Sequence, residues 1–218
     1  MPLFVQGARG GTAAAAGAVV TPVMFFWAMS SSVAARLVVP LGFRATARAG
    51  TLFIVLGFAA LLACTERDAS VPWISAACAL VGCGLGLAGL TQVLAVQHTT
   101  AESMRGVATS LVPFFRTVGG SLGIGALGGL LSLGLVSRLG PGADTAGRWL
   151  AHGVVPSAGS PSEPALLDPA VFRHALERSL LPVFVVLLAL ALVNLFVAGL
   201  FPARADEPAP SPLNPPRN

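Results

Sequence analysis

One charge stands well inside an apolar stretch of this chain, at Arg116. Its same-helix neighbours at spacings of three and four are Val112, Pro113, Gly119 and Gly120, none of them acidic. An arginine at membrane depth costs at least about 2.5 kcal/mol unless it meets protein, water or an opposite charge. Arg116 is therefore expected either to point into a helical bundle or to extend its stem toward the interface at Arg105. The apolar runs carry no Asp or Glu, so a carboxylate partner would have to come from outside the chain. Gln92 and Asn194 join Arg116 as candidates for lining a cavity, because a buried amide needs several hydrogen-bond partners. Thr21, Ser30, Thr91, Thr109, Ser110, Thr117 and Ser121 have hydroxyls that can bond to carbonyls of their own helix.

Glycine supplies the second pattern. Gly82, Gly84, Gly86 and Gly89 recur in one apolar run, and Gly119, Gly120, Gly123, Gly125, Gly128 and Gly129 crowd the next. Both runs match G-x-G-x-x-G, but a dinucleotide fingerprint needs a strand before it and an acidic residue about 20 positions later. Neither is present. Small residues four apart instead let helices approach closely, as at Gly119/Gly123 and Gly125/Gly129. Gly82, Gly84, Gly86, Gly119, Gly120 and Gly123 are thus expected to serve helix packing or a moving helix contact.

Enzyme chemistry has no support. No nucleophile, base and orienting acid stand together, and His98, His152 and His174 fall in three separate polar segments. Cys64, Cys78 and Cys83 lie in or beside apolar runs and fit small packing residues better than a disulfide or metal set. No metal and no cofactor is implied.

The elements that must position these residues are helices in lipid. Hydrophobic residues make up 55% of the chain and charged ones 10%, against about 25% charged in soluble proteins. The basic residues number thirteen, all arginine, and they gather at the ends of apolar runs. That placement marks interfacial anchors and topology signals, not a nucleic-acid surface, despite a pI near 10.2. Apolar runs cover about 17–38, 46–65, 72–96, 107–136 and 180–201. About 20 apolar residues span a bilayer core of about 30 Å. The second run reaches that length only with Thr46, Ala47 and Arg48, the arginine stem lying in the membrane and its head in water. An all-α membrane protein with five transmembrane helices is expected, with no cleaved signal peptide.

Around these runs, 1–16 reads as a lead-in and 137–179 as a polar loop. Asp168 and Pro169 fit the cap and first position of a short amphipathic helix leading into the last run. The proline-rich 204–218 reads as a disordered tail. Pro40 and Gly42 stop the first helix and turn the chain. Arginines divide six against six between the two sides. Weight falls on short loops, so the Arg36/Arg44/Arg48 cluster favours placing its side, with the tail, in the cytoplasm.

The order of motifs resembles the C-terminal portion of the fourteen-helix drug/proton antiporters (QacA/EmrB type) of the major facilitator superfamily. The residues that carry this begin with Phe4-Val-Gln6, then Ala16-Gly17 and Pro22. Ala35-Arg36-Leu37 through Gly42-Phe43-Arg44 is similar to the family's basic cytoplasmic loop, with Arg36, Gly42 and Arg44 on its motif. Most specific is Arg105-Gly106-Val-Ala108 followed by Phe115-Arg116 and Gly119-Gly-Ser-Leu-Gly123. The family's loop acid falls at Val39 and its following arginine at Pro40, so that charge network is altered.

The resemblance implies most of the C-terminal half of a major facilitator bundle, with the five runs as the last five helices of fourteen. It implies a multi-pass plasma-membrane protein exporting hydrophobic or cationic compounds against inward protons. It also implies a truncated piece that lacks its N-terminal half. The lipid bilayer is then the chain's first partner, and nucleic acid is not one. The alternative expectation is a non-transport membrane subunit or assembly partner that uses its glycine-rich faces for association.

Overall fold

The computed structural model describes residues 13–67, 70–140 and 169–201. Expectations about the start of the chain, Phe4 and Gln6, most of the polar loop, Asp168 and the tail lie outside the described residues. Every long element is an α-helix: α1 (Ala13–Glu66), α2 (Val71–Thr99), α3 (Arg105–Leu139) and α4 (Pro169–Ala198). A short 3-10 turn, Glu102–Met104, leads into α3. All four are long and apolar enough to cross a membrane. The protein is an all-α membrane protein.

α1 is two helical arms joined at one residue. Gly42 adopts φ 79° and ψ 170°, conformational space that a side chain makes costly, and it separates arm 13–41 from arm 43–66. Pro40, two residues earlier, has no N–H to give to the helix ladder. Thr46 Oγ1 donates to Gly42 O at 2.9 Å, tying the start of the second arm to the break. The turn between the first two apolar runs is thus a hinge of one residue and not a loop.

Helix direction can be read from which backbones meet. Along α2, a Cβ placed on Gly82 would strike Val23 of the first arm, and one on Gly86 would strike Trp27 and Ser30. The first arm therefore runs parallel to α2. On the other side of α2, Ala77 and Val81 meet Gly57 of the second arm, Gly84 meets Ile54, and Ala88 meets Gly50. The second arm runs antiparallel, so the two arms are antiparallel to each other and α2 lies between them. Successive residues in a helix are turned by about 100°, which puts Gly84 on the face opposite Gly82 and Gly86.

Apolar clusters mark the two ends of the bundle. One unites Val19, Leu61, Ile74, Leu135, Leu176 and Phe184, drawn from both arms and all the other helices. The other unites Val38, Phe43 and Ala95, with Leu94 and Phe201 packed on it. Helical structure reaches beyond the apolar runs, to Leu139 in α3 and back to Pro169 in α4. The reason is burial: Ala175, Leu176 and Leu180 pack with Leu135 and Leu139. The amphipathic turn is therefore continuous with the last span.

α3 stands apart. Its buried residues are Leu135 and Leu139 only, both in its last turns. Upstream, Phe115 is 66% exposed, Leu122 70% and Ile124 77%.

Candidate functional site

Most hydroxyls within the spans are satisfied locally. Thr21 donates to Gly17 O, Thr91 to Leu87 O, Thr109 to Arg105 O, Thr117 to Pro113 O and Ser121 to Thr117 O. Ser30 and Ser31 both donate to Trp27 O. Arg116, Gln92 and Asn194 are among the polar side chains in the spans whose needs a backbone carbonyl does not meet so simply.

Arg116 turns toward α2. Its Nη2 lies 3.1 Å from where a Cβ of Gly89 would stand, so the missing side chain of Gly89 makes the slot that the guanidinium enters. Gln92 is half-buried and follows Gly89 by three residues, on the same side of α2. Arg116 and Gln92 thus share one stretch of the α2–α3 boundary. Asn194 sits exposed on α4. The recorded packing of α3 on α4 centres on Gly134 and Ser179, and does not bring Asn194 to the other two.

The two glycine series part company. A Cβ on Gly82 would strike the Val23 backbone, one on Gly84 would come 2.6 Å from Gly50 O, and one on Gly86 would meet Ser31 N at 2.9 Å. Gly119, Gly120 and Gly123 have nothing within 4 Å among the described residues, and the same holds for Gly125, Gly128 and Gly129. The second series lies in a part of α3 that the other described helices leave bare.

At the end of the bundle that holds the Gly42 hinge, Arg36 is exposed and Arg44 is half-buried. Arg44 Nε donates to Phe201 O at 2.6 Å, linking the hinge to the end of α4. Arg48, one turn later, rests its guanidinium against Gly199. The C-terminal end of a helix carries partial negative charge, so two arginines are well placed there. The Phe43 and His98 rings lie 5.6 Å apart at the same end.

Three residues of this geometry were not singled out by sequence reasoning. Gly89 belongs to a noted glycine series, but its service to Arg116 depends on how α2 meets α3. Gly50 and Gly57, which admit α2 against the second arm, are seven residues apart and lack the four-residue spacing that flags close packing. Seven residues are nearly two helical turns, and that spacing puts both on one face.

No family model matches the chain, and no solved structure matches it. Curated relatives do. The chain is 33% identical over 132 residues to the multidrug transporter protein MdtP of Bacillus subtilis, covering 61% of this chain and 24% of the relative. It is 31% identical over 202 residues to an MFS-type transporter of Mycobacterium tuberculosis, covering 91% of this chain and 27% of the relative. The multidrug resistance protein Stp of Mycobacterium tuberculosis is 30% identical over 145 residues, 63% of this chain and 25% of that protein. The chain spans about a quarter of the length of the curated relatives it matches.

Proposed function

We propose that the chain is the C-terminal portion of a multidrug antiporter of the major facilitator type, exporting hydrophobic or cationic compounds in exchange for protons. The observation that carries this reading is α3. Lipid alone would be an adequate solvent for its leucines and phenylalanines, but not for Arg116. A mostly apolar helix that the other described helices leave largely uncovered, and that carries both a crowd of glycines and a guanidinium, suits a wall shared with further helices. Transporter sites of this kind lie near the bilayer midplane between repeats. The names of the relatives, and the share of their length that the chain spans, support the same reading.

In this proposal Arg116 and Gln92, seated at the α2–α3 boundary, face the substrate path, and Asn194 contributes from α4. Gly82, Gly84 and Gly86 hold α2 between the arms of α1. Gly119, Gly120 and Gly123 give the remaining helices a smooth surface on which to slide. Arg36, Gly42 and Arg44 form the cytoplasmic turn of a multi-pass plasma-membrane protein, with the tail on the same side. The five apolar runs contain no carboxylate, so proton binding falls to the remainder of the transporter.

The test is dye efflux from cells stripped of their own exporters. The chain is expressed alone and together with the N-terminal remainder of the Bacillus subtilis relative. Efflux is expected only from the pair, and Arg116→Gln and Gly89→Leu should both reduce it, the latter by evicting the guanidinium from its slot. Efflux by the chain alone would defeat the proposal. A non-transport subunit would use the same glycine-rich part of α3, and would show itself by co-purifying with one stoichiometric partner while efflux stays unchanged.

A further inference from the structure

We propose that the outer groove between α1 and α4 is a binding site for an anionic phospholipid, with the phosphate at Arg48 and an acyl chain lying along α4. The groove has a volume of about 510 Å³ and is lined by Arg48, Ala49, Leu52, Leu192, Leu195 and Phe196. That size lies within the range of about 300–1,000 Å³ usual for small-ligand sites. Its composition is that of a lipid: five apolar residues and a single cation. The layout has a direction as well. Arg48 rests against Gly199, beyond the last turn of α4. Leu195 and Leu192 stand one and two turns deeper, and Leu52 lies one turn past Arg48 in the second arm. A headgroup at the interface would therefore continue into hydrocarbon along the groove.

Charge decides between a lipid site and a mere helix end. The carbonyl terminus of α4 amounts to roughly half a negative charge. Arg44 and Arg48 bring two full positive charges to it, and Arg44 satisfies Phe201 O through Nε alone. Among the described residues Arg48 donates no hydrogen bond, so its planar fork remains free for a phosphate. Among the described residues a net positive charge is left over there, which an anionic headgroup offsets and a zwitterionic one does not. The inference needs only a chain that spans a bilayer and is independent of what, if anything, it transports.

Native mass spectrometry of the full chain purified in detergent provides the test, with dioleoyl phosphatidylglycerol and dioleoyl phosphatidylcholine as probes. Phosphatidylglycerol should be retained where phosphatidylcholine is stripped. Arg48→Gln should reduce that retention about fivefold, the equivalent of about 1 kcal/mol for one arginine at a membrane surface. Leu192→Trp, which fills the groove and keeps the charge, should reduce phosphatidylglycerol retention as well. Arg178→Gln, at the other end of the bundle, should leave it alone, and sn-glycerol 3-phosphate should not compete. Equal retention of the two lipids by the unaltered chain would overturn the site. So would indifference to both groove variants, an equal loss from Arg178→Gln, or displacement by the soluble phosphate.

Discussion

Two glycines in similarly apolar, glycine-rich runs can do opposite things, and the difference lies in what their missing side chains leave room for. At Gly82 a Cβ would strike Val23 backbone, which cannot swing aside as a side-chain tip can. At Gly123 it would meet nothing within 4 Å among the described residues. Alanine gains up to about 1 kcal/mol over glycine in a helix interior, whereas overpacking costs about 1–3 kcal/mol. Gly82→Ala is therefore expected to lower the unfolding midpoint of the purified chain in detergent, while Gly123→Ala leaves it level or raises it. Equal shifts would mean that α2 does not press on the first arm as described. The oddity of Arg116 could be read from the sequence, because a lone charge in an apolar run is conspicuous anywhere. Its seat on Gly89 could not, since that depends on which face of α2 meets α3.

Hinges and ends decide the character of the elements. Gly42 sustains the reversal of α1 in a backbone conformation that costs other residues about 1–3 kcal/mol. Gly42→Ala should therefore lower the same unfolding midpoint, whereas Pro40→Ala should leave it level or raise it, because alanine returns the N–H that proline withholds from the ladder without touching the positive φ. If Gly42→Ala unfolded like the unaltered chain, the hinge would not be strained in the way its dihedral angles state. Apolar run lengths announced the spans, and Pro40 with Gly42 announced the first turn. What they did not announce is that the turn occupies one residue, or that α4 begins at Pro169. Both follow from packing. Val38 and Phe43 share a cluster across the hinge, and Ala175, Leu176 and Leu180 are held by the end of α3.

For the molecule as a whole, the arrangement has two ends of different chemistry. Arg36, Arg44, Arg48 and His98 gather at one, with Glu66, Arg67, Arg138 and Arg178 at the other. The orientation proposed above can be tested with single cysteines in a chain whose Cys64, Cys78 and Cys83 are changed to alanine. Arg67→Cys should react with a membrane-impermeant maleimide in intact cells, and Thr99→Cys only after permeabilisation. The reverse pattern would invert the topology, and equal reaction in intact cells would deny that a bilayer separates the two ends. Both positions are exposed, so a difference between them reports sidedness and not burial.

The sequence by itself determined the solvent of this protein. Backbone polar groups in hydrocarbon must be satisfied within their own segment, so apolar runs of spanning length leave no option but helices. It also marked Arg116 as a charge needing a host and the glycine-rich runs as places of close approach. Tertiary structure decided where approach occurs. α2 is gripped on two faces by the arms of α1, with Gly50 and Gly57 opening the second face, while the richer glycine series of α3 stays bare among the described residues. Spacing along one helix fixes which residues share a face, but which face finds a neighbour depends on how every other helix is already placed.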